Sequence, residues 1–360
     1  MANGKDLVVV ILAGGAGTRF WPSSTDARPK QFLRFFGPRS LFQQAYDRVK
    51  GLVDDERILV VTSADFVSLC REELPSLPAE NVVGEPARRD TAGAVALAVA
   101  LAEHRFGPHT MAVLTSDHLI GPTDVFQRAL TSAARGASSS DALYTFGIPP
   151  TFPATGFGYL EVGDRVVDAG LEDDGVHHHA LRRFVEKPAL AVAEEYVASG
   201  RFLWNSGMFV WSSDVVAREL ERTLPTHLST LRPAVAKGDV DAAFLTLPKV
   251  SIDVGLMEKA RSVRAVRAPF DWSDVGSFAA LHAHLPTDSD ENAARGRLFT
   301  HDAQRNLVFS EDESETFALV GVHDLIVVRA GKRTLVVPRD RAEDVKKLVE
   351  KLDPALRRGE

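Results

Sequence analysis

The sequence predicts an α/β protein whose main sheet is covered by helices on both faces, followed by a small β-rich unit that ends in a helix. Three observations carry that reading. Up to about residue 146, short β-rich runs alternate with amphipathic stretches, which is the pattern of a parallel sheet with crossover helices. The first apolar run leads directly into a glycine loop. Beyond residues 286–292, a stretch rich in Asp and Ser, only short strand-like runs and one closing helix remain.

Residues 7–12, all Leu, Val or Ile, read as a first strand that runs into Ala13-Gly14-Gly15-Ala16-Gly17-Thr18-Arg19-Phe20-Trp21-Pro22. Ser40 and Gln43 form a capping box ahead of Leu41, Ala45 and Val49 at helical spacing. Strands are expected near residues 57–62, 81–83, 111–114 and 142–146, and Asp90 or Thr91 can cap the alanine-rich helix that reaches His104. From residue 155 to about 280 the pattern is mixed. Strands fall near 159–162 and 181–185, and Pro188 opens a helix whose Leu190, Ala193 and Val197 share one face. Past a boundary near Pro286, which divides the chain into residues 1–285 and 286–360, strands are expected at 306–309, 317–320, 325–328 and 334–337. A helix over 340–352 carries Val345, Leu348 and Val349 on one side.

With 360 residues, 45% hydrophobic and 25% charged, the chain is long enough for one large core plus an appended unit. A net charge of −7 argues against a nucleic-acid or anionic-membrane partner, since both need a broad basic face. Small phosphorylated substrates need only a local basic cluster. Cys70, the single cysteine, has no internal partner and reads as a small buried hydrophobe in a reducing, cytoplasmic setting. The apolar run over 7–13 is too short to span a bilayer and lacks a basic lead-in, so it is expected to be a strand and not a signal segment. His177, His178 and His179 in an extended segment point to alternating faces and cannot converge on one ion, so an exposed strand or loop is expected there.

The glycine loop is a phosphate site in chemical terms. Glycines leave backbone N–H groups uncovered, and Arg19 and Lys30 of Pro29-Lys30-Gln31-Phe32-Leu33 add fixed positive charge. It is not a Walker A loop, which needs a Gly-Lys pair at fixed spacing. Nor is it a dinucleotide fingerprint, which would need glycine where Phe20 stands. Asp117, after the strand at 111–114, and Asp274, in Trp272-Ser273-Asp274-Val275-Gly276, could together hold one Mg²⁺ and leave its other positions to phosphate and water. Each aspartate taken alone fits a turn or a helix cap equally well.

Taken in order, the glycine loop, Pro29-Lys30-Gln31, Asp117-His118, Thr155-Gly156-Phe157-Gly158-Tyr159, Glu186-Lys187-Pro188, Trp204-Asn205-Ser206-Gly207 and Trp272-Ser273-Asp274-Val275-Gly276 resemble the sugar-1-phosphate nucleotidyltransferases over about the first 280 residues. Phe20-Trp21-Pro22 with Lys30-Gln31-Phe32-Leu33, Ser251-Ile252-Asp253 with Met257-Glu258-Lys259, and Glu85-Pro86 with Arg89-Asp90-Thr91-Ala92 are similar to the mannose-1-phosphate guanylyltransferase branch. The resemblance implies a mixed, mainly parallel Rossmann-like sheet. For the C-terminal unit it implies a short left-handed β-helix able to support a homodimer, although the strands would equally suit a β-meander. It also implies GTP and mannose 1-phosphate as substrates, and Mg²⁺ as cofactor on Asp117 and Asp274.

Under the same resemblance, Leu12, Ala13, Gly14, Gly15, Gly17 and Thr18 would cradle the nucleotide, with Arg19 and Lys30 on its phosphates. Glu85, Pro86, Asp90, Thr91 and Ala92 would lie against the guanine. Gly158, Glu186, Asn205 and Asp253 would hold the sugar, with Lys187 on its phosphate. The chain departs from the pattern at Asp90, where relatives often carry asparagine, at Phe157 for tyrosine, and at Val254-Gly255 for Tyr-Ala. Asp90 would either accept from the guanine N–H groups or cap the helix at Thr91. Two other readings remain: the same chemistry on a different base or sugar, and a non-catalytic nucleotide-sugar-binding regulatory subunit. An added phosphomannose isomerase domain is not expected, because the C-terminal residues show no metal-spaced histidines.

Overall fold

The computed structural model describes residues 6–15, 17–167, 171 and 174–359; Ala16 of the glycine loop lies outside them. The chain divides into two compact units that do not follow a single cut in the sequence. One contains the chain up to Gly14, Ala45–Ser116 and Ile120–Trp272, and the other gathers Gly15–Gln44, Asp117–Leu119 and the chain from Ser273.

The first unit is built on nine strands: β1 (Leu7–Leu12), β2 (Ile58–Ser63), β3 (Val82–Glu85), β4 (Thr110–Thr115), β6 (Leu143–Ile148), β7 (Tyr159–Arg165), β8 (His177–Val185), β9 (Phe202–Ser212) and β10 (Val263–Arg267). The short strands β5 (Leu119–Gly121) and β11 (Asp271–Ser273) lie where the chain passes from one unit to the other. The nine form one mixed sheet in the order β3-β2-β1-β4-β9-β6-β10-β8-β7. β3, β2, β1 and β4 are mutually parallel, with Leu12 level with Val61 and Thr115, and Ser63 level with Glu85. The carboxyl ends of β1, β3 and β4 therefore share one edge, the edge at which open α/β sheets bind ligands. Val8, Val9, Val10 and Ile11 are all fully buried, as a central strand covered on both faces must be.

Local sequence signals act as physics requires in several places. The Ser40 Oγ accepts from the Gln43 N–H and the Gln43 Oε1 from the Ser40 N–H, each at 3.1 Å, which closes the capping box. Helix Asp90–Phe106 buries alanines and valines almost continuously, and the Asp90 Oδ1 accepts from the Thr91 N–H at 2.8 Å.

Two expectations need correction. His178 is not exposed: strand alternation turns it inward, and its Nε2 lies 2.8 Å from the Ser132 Oγ on helix Thr123–Ser138. Burial pushes its pKa down to about 4, so it stays neutral. On helix Leu190–Ser199 the buried face is Ala193 and Tyr196, while Leu190 is exposed, because Tyr196 stacks on Phe202 at 3.8 Å between ring centres. Cys70 is buried and free, with its thiol pushed up to about 12 by burial.

The second unit contains β12 (Ala293–Arg295), β13 (Arg297–His301), β14 (Leu307–Ser310), β15 (Thr316–Val320), β16 (Leu325–Ala330) and β17 (Arg333–Pro338). β12, β14 and β16 stack in parallel in one sheet and β13 and β15 in another, so the chain coils between two faces. That is β-helix geometry and excludes a meander. Buried Asn292 and Asn306 stack inside it: the Asn306 Nδ2 donates to the Asn292 Oδ1 at 2.9 Å, and the Leu325 N–H donates to the Asn306 Oδ1 at 2.9 Å. Only β17 returns antiparallel, onto β16.

The closing segment is a 3₁₀ turn, Arg339–Asp344, followed by a short helix, Val345–Val349, and not the single helix expected over 340–352. Its buried face is Ala342, Val345 and Val349, while Leu348 is exposed. These pack in one core with Phe20, Trp21, Leu33, Phe35, Val275 and Phe278. Among the described residues no helix is long and apolar enough to cross a membrane.

Candidate active site

The residues expected to handle phosphate fall in the second unit. Gly17 has φ +59, in the left-handed region, and a Cβ there would lie 2.3 Å from the Lys30 Cβ and 2.8 Å from its backbone nitrogen. Both the conformation and the close approach demand glycine. The turn is fixed by the Ser24 hydroxyl, which donates to the Gly17 carbonyl at 2.6 Å. Thr18 and Arg19 then lie on a 3₁₀ turn, Thr18–Phe20. Among the described residues nothing stands within 4 Å of where a side chain on Gly15 would project.

Lys30 is only 6% exposed, and two of the three donors of its ammonium are engaged within the protein. It donates to the Asp117 Oδ2 at 3.1 Å and to the Asp274 carbonyl at 2.5 Å, and lies 5.8 Å from the Phe20 ring centre. One buried cation thus ties the two predicted metal ligands together. Burial pushes the Asp117 carboxyl up, but Lys30 and His118 outweigh it and hold it below the usual range. Burial raises Asp274, opposed by Lys30 and Arg19 and reinforced by the charge of Asp117. The Arg19 Nη1 donates to both carboxylate oxygens of Glu343, at 3.2 and 3.0 Å. Val275, next to Asp274, sits at φ +43, a strained conformation for a β-branched residue.

This donor set fits a hard divalent cation. The Asp117 carboxylate lies close enough to Asp274 for its charge to raise the Asp274 carboxyl, and among the described residues no group of three His, Cys, Asp or Glu assembles to fill a coordination shell. Two protein oxygens, with the remainder left to phosphate and water, is the coordination Mg²⁺ prefers.

The residues expected to lie against the base fall in the first unit. Leu12 ends β1 and its carbonyl accepts from the Ser116 N–H at 3.2 Å, while the Ala13 N–H donates to the Val61 carbonyl at 2.8 Å. A Cβ on Gly14 would come 3.6 Å from the Glu85 Oε2, so the loop passes beside that carboxylate at the end of β3. The Glu85 Oε1 is buried without a hydrogen-bond partner among the described residues. Burial, then the nearby Asp90, push the Glu85 carboxyl up to about 7. Pro86 continues the segment, and Asp90 stands at φ +62, a conformation asparagine and aspartate tolerate better than most residues.

Thr91 and Ala92 join this segment to a second one. The Thr91 Oγ1 accepts from the Ile252 N–H at 2.8 Å, and the Ala92 N–H donates to the Val250 carbonyl at 3.2 Å. Two of the three stretches similar to the guanylyltransferase branch are therefore bonded to each other.

Gly158, Glu186, Lys187, Asn205 and Asp253 also come together in the first unit. The Asn205 N–H donates to the Gly158 carbonyl at 2.8 Å, and the Asn205 Nδ2 donates to the Asp253 Oδ1 at 3.0 Å. Thr145 donates to the Asn205 Oδ1 at 2.9 Å, which fixes the amide's orientation. Glu186 and Lys187 pair at 3.0 Å, with Lys187 held at φ +45. Burial and then the Glu186 charge raise the Asp253 carboxyl to about 6, against the hydrogen bond from Asn205. Asp253 begins a π-helical turn, Asp253–Met257, a distortion common at functional sites. Phe157, Trp204 and Trp272 pack edge to face or tilted, at 5.2 to 6.5 Å.

Three residues of these networks were not singled out from the sequence. Glu258 accepts from the Glu186 N–H at 3.3 Å, and its place in Met257-Glu258-Lys259 was a usable signal. Thr145 and Glu343 carry no local signal, because their partners lie 60 and 324 residues away.

Comparison with known proteins identifies the family. The profile of the Nucleotidyl transferase family matches residues 8–291, and that of the MannoseP isomerase/GMP-like beta-helix domain matches 296–352. A mannose-1-phosphate guanylyltransferase of Klebsiella pneumoniae is 37% identical over 354 residues, 96% of this chain and 73% of that protein. Its counterpart in Escherichia coli strain K12 is 38% identical over 98% of this chain and 74% of that protein. A solved structure from Thermus thermophilus, described as a mannose-1-phosphate geranyltransferase, superposes with a TM-score of 0.87 at 33% identity and covers 96% of this chain and 99% of its own. By these matches the chain belongs to the nucleotidyltransferases, in the mannose-1-phosphate guanylyltransferase family.

Proposed function

We propose that this chain transfers GMP from GTP to α-D-mannose 1-phosphate, releasing GDP-mannose and pyrophosphate, with the residue roles that follow. The observation that supports the reading best is Lys30, a buried cation bonded to both metal-ligand segments beside the glycine loop. An oxygen of the sugar phosphate attacks the α-phosphorus in line, and the bond to the β-phosphate breaks. The nucleophile is already an anion, so no general base is needed, and catalysis consists of alignment and charge neutralisation. Arg19 and Lys30 hold the triphosphate and take up negative charge as pyrophosphate leaves. Arg19 exchanges its surface contact with Glu343 for phosphate oxygens. Mg²⁺ on Asp117 and Asp274 adds further charge neutralisation when bound.

On the base side, the ionised Glu85 accepts from the guanine N1–H and amino group, which satisfies its buried, unpartnered Oε1. Adenine presents an acceptor at the corresponding position and is rejected. Asp90 is the first residue of its helix, and its Oδ1 already accepts from the Thr91 N–H at 2.8 Å, which favours a local role over a guanine contact. Glu186, Asn205 and Asp253 accept from or donate to the mannose hydroxyls, and Lys187 binds the sugar's phosphate. Residues 1–285 form the catalytic domain and 286–360 the appended β-helix. The exposed Phe299 and Val320 on β13 and β15 support a role for that β-helix in a homodimer, and the free, buried Cys70 suits the cytoplasm.

Incubating the purified protein with Mg²⁺, each common nucleoside triphosphate and either mannose 1-phosphate or another hexose 1-phosphate, while following pyrophosphate release, tests the reading. Release with GTP alone is expected. Release with another nucleotide instead, or with another hexose 1-phosphate only, would overturn the substrate assignment, and silence with all of them would favour the regulatory reading.

A further inference from the structure

Thr91 and Ala92 are expected against the base, yet the transfer chemistry above uses neither of them. Both direct polar atoms at a second segment of the same unit, residues 250–258. The Thr91 Oγ1 accepts from the Ile252 N–H at 2.8 Å, and the Ala92 N–H donates to the Val250 carbonyl at 3.2 Å. These two bonds fix the start of the segment to the first turn of helix Asp90–Phe106, which is buried along most of its length.

The residues after Ile252 show what that attachment holds. Ile252 stands directly ahead of the π-helical turn Asp253–Met257, and the first N–H groups of a helical turn have no partner within it. Thr91 supplies the partner of Ile252 from another part of the chain, while the Ser251 Oγ accepts from the Val254 N–H at 3.3 Å. The Glu258 N–H closes the wide turn on the Asp253 carbonyl at 2.9 Å. Such turns are rare, and a disfavoured backbone state persists where its surroundings hold it. Ile252, Leu256 and Met257 are at most 1% exposed and anchor one side of the turn in the core. The segment also carries two groups of the sugar cluster. The Asp253 Oδ1 accepts from the Asn205 Nδ2 at 3.0 Å, and the Glu258 Oε1 from the Glu186 N–H at 3.3 Å.

We propose that Thr91 is a positioning residue for the sugar: its hydroxyl caps the π-helical turn and so holds Asp253 against Asn205, in place to meet a mannose hydroxyl. The inference rests on the sugar role proposed for Asp253. Thr91 acts through Asp253 and touches neither the sugar nor the reacting phosphates. Without its oxygen the Ile252 N–H loses its acceptor, and the turn is released at the end next to Asp253. Asp253 binds the sugar ring and not the atoms that react, so the loss weakens ground state and transition state alike, which raises KM and spares kcat.

Steady-state pyrophosphate release by the full chain, with mannose 1-phosphate and GTP each varied at saturation of the other, tests the proposal. Thr91→Val keeps the shape of threonine without its oxygen, and should raise KM for mannose 1-phosphate about tenfold while kcat and KM for GTP stay within about twofold. Thr91→Ala, a second variant without the oxygen, should show the same split, and Thr91→Ser should return that KM to within about threefold of wild type. In an Asp253→Ala background, which has already lost the group being positioned, Thr91→Val should add no more than about twofold. Hydrogen exchange over residues 250–258, followed by mass spectrometry, should quicken in Thr91→Val and not in Thr91→Ser. Unchanged exchange, a rise in KM for GTP in place of mannose 1-phosphate, or a full tenfold effect on top of Asp253→Ala would overturn the proposal alone. If the reading beneath it is wrong, Asp253→Ala by itself leaves KM for mannose 1-phosphate unmoved, or wild type turns over no mannose 1-phosphate, and either result overturns both.

Discussion

The residues proposed to handle phosphate and those proposed to handle base and sugar solve opposite electrostatic problems. The first set is organised by cations: Lys30 is buried between Asp117 and the Asp274 carbonyl, and Asp117 stays ionised because Lys30 and His118 overcome its burial. The second is organised by carboxylates, with Glu85, Glu186, Asp253 and Glu258 dominating, and burial pushes Glu85 up to about 7 and Asp253 up to about 6. Charge neutralisation lowers a barrier only if the charges are fixed before reaction, so Lys30 is locked at both ends. Selectivity for hydrogen-bond donors instead needs acceptors that are desolvated and left open, and those are the conditions that raise a carboxylate's pKa. The comparison predicts that damage to the first set lowers turnover and damage to the second relaxes choice.

The largest effect should follow loss of the fixed cations. Arg19→Ala is expected to keep the fold and lose at least about a hundredfold in kcat, and Lys30→Ala about a thousandfold, since it also leaves Asp117 without its cation. Circular dichroism and steady-state pyrophosphate release check this, and near-normal turnover in Arg19→Ala would remove it from the catalytic set. Glu85→Gln should come next, with kcat/KM for GTP falling about ten- to a hundredfold as one of two guanine contacts becomes a donor-donor clash. Gly158→Ala would place a Cβ 2.6 Å from the Glu186 Oε2. The carboxylate must move, and KM for mannose 1-phosphate should rise about tenfold with little change in KM for GTP.

Smaller effects sharpen the same division. Glu85 accepts from guanine only when ionised, and its pKa is raised to about 7, so kcat/KM for GTP should climb as pH rises through 7 and fall severalfold at pH 6. A pH profile of Glu85→Gln should lack that inflection; if it persists, another group is titrating. The smallest change belongs to Glu343→Gln. The Arg19–Glu343 pair is well exposed on both sides, and such pairs are worth about 0–1 kcal/mol, so KM for GTP should shift by no more than about threefold.

Local signals made much of this legible in the sequence. The capping box at Ser40, the buried run of β1 and the glycine at 17 follow from short-range rules, and the ordered motifs named the family before any geometry was known. Long-range packing was not legible. Phe20, Trp21, Leu33 and Phe35 share a core with Val275, Phe278 and Val345, so the chain from Gly15 to Gln44 belongs with its C-terminal part, which no composition shift near Pro286 could reveal. Strand alternation said that His177, His178 and His179 point to different faces but not which face is buried, and Ser132 on a neighbouring helix decided it. Leu190 looked like a core residue by spacing, yet the Tyr196–Phe202 stack set the helix's rotation. The C-terminal strands were compatible with two architectures until their parallel register and the Asn292–Asn306 stack chose the β-helix.

The most direct test of the division of labour is to measure kcat and the GTP-to-ATP discrimination ratio in one assay for wild type, Arg19→Ala and Glu85→Gln. The account predicts that Arg19→Ala loses kcat but keeps the ratio, whereas Glu85→Gln retains kcat at saturating GTP and loses most of the ratio. It would be contradicted if Arg19→Ala altered base choice as much as Glu85→Gln, or if Glu85→Gln discriminated as wild type does.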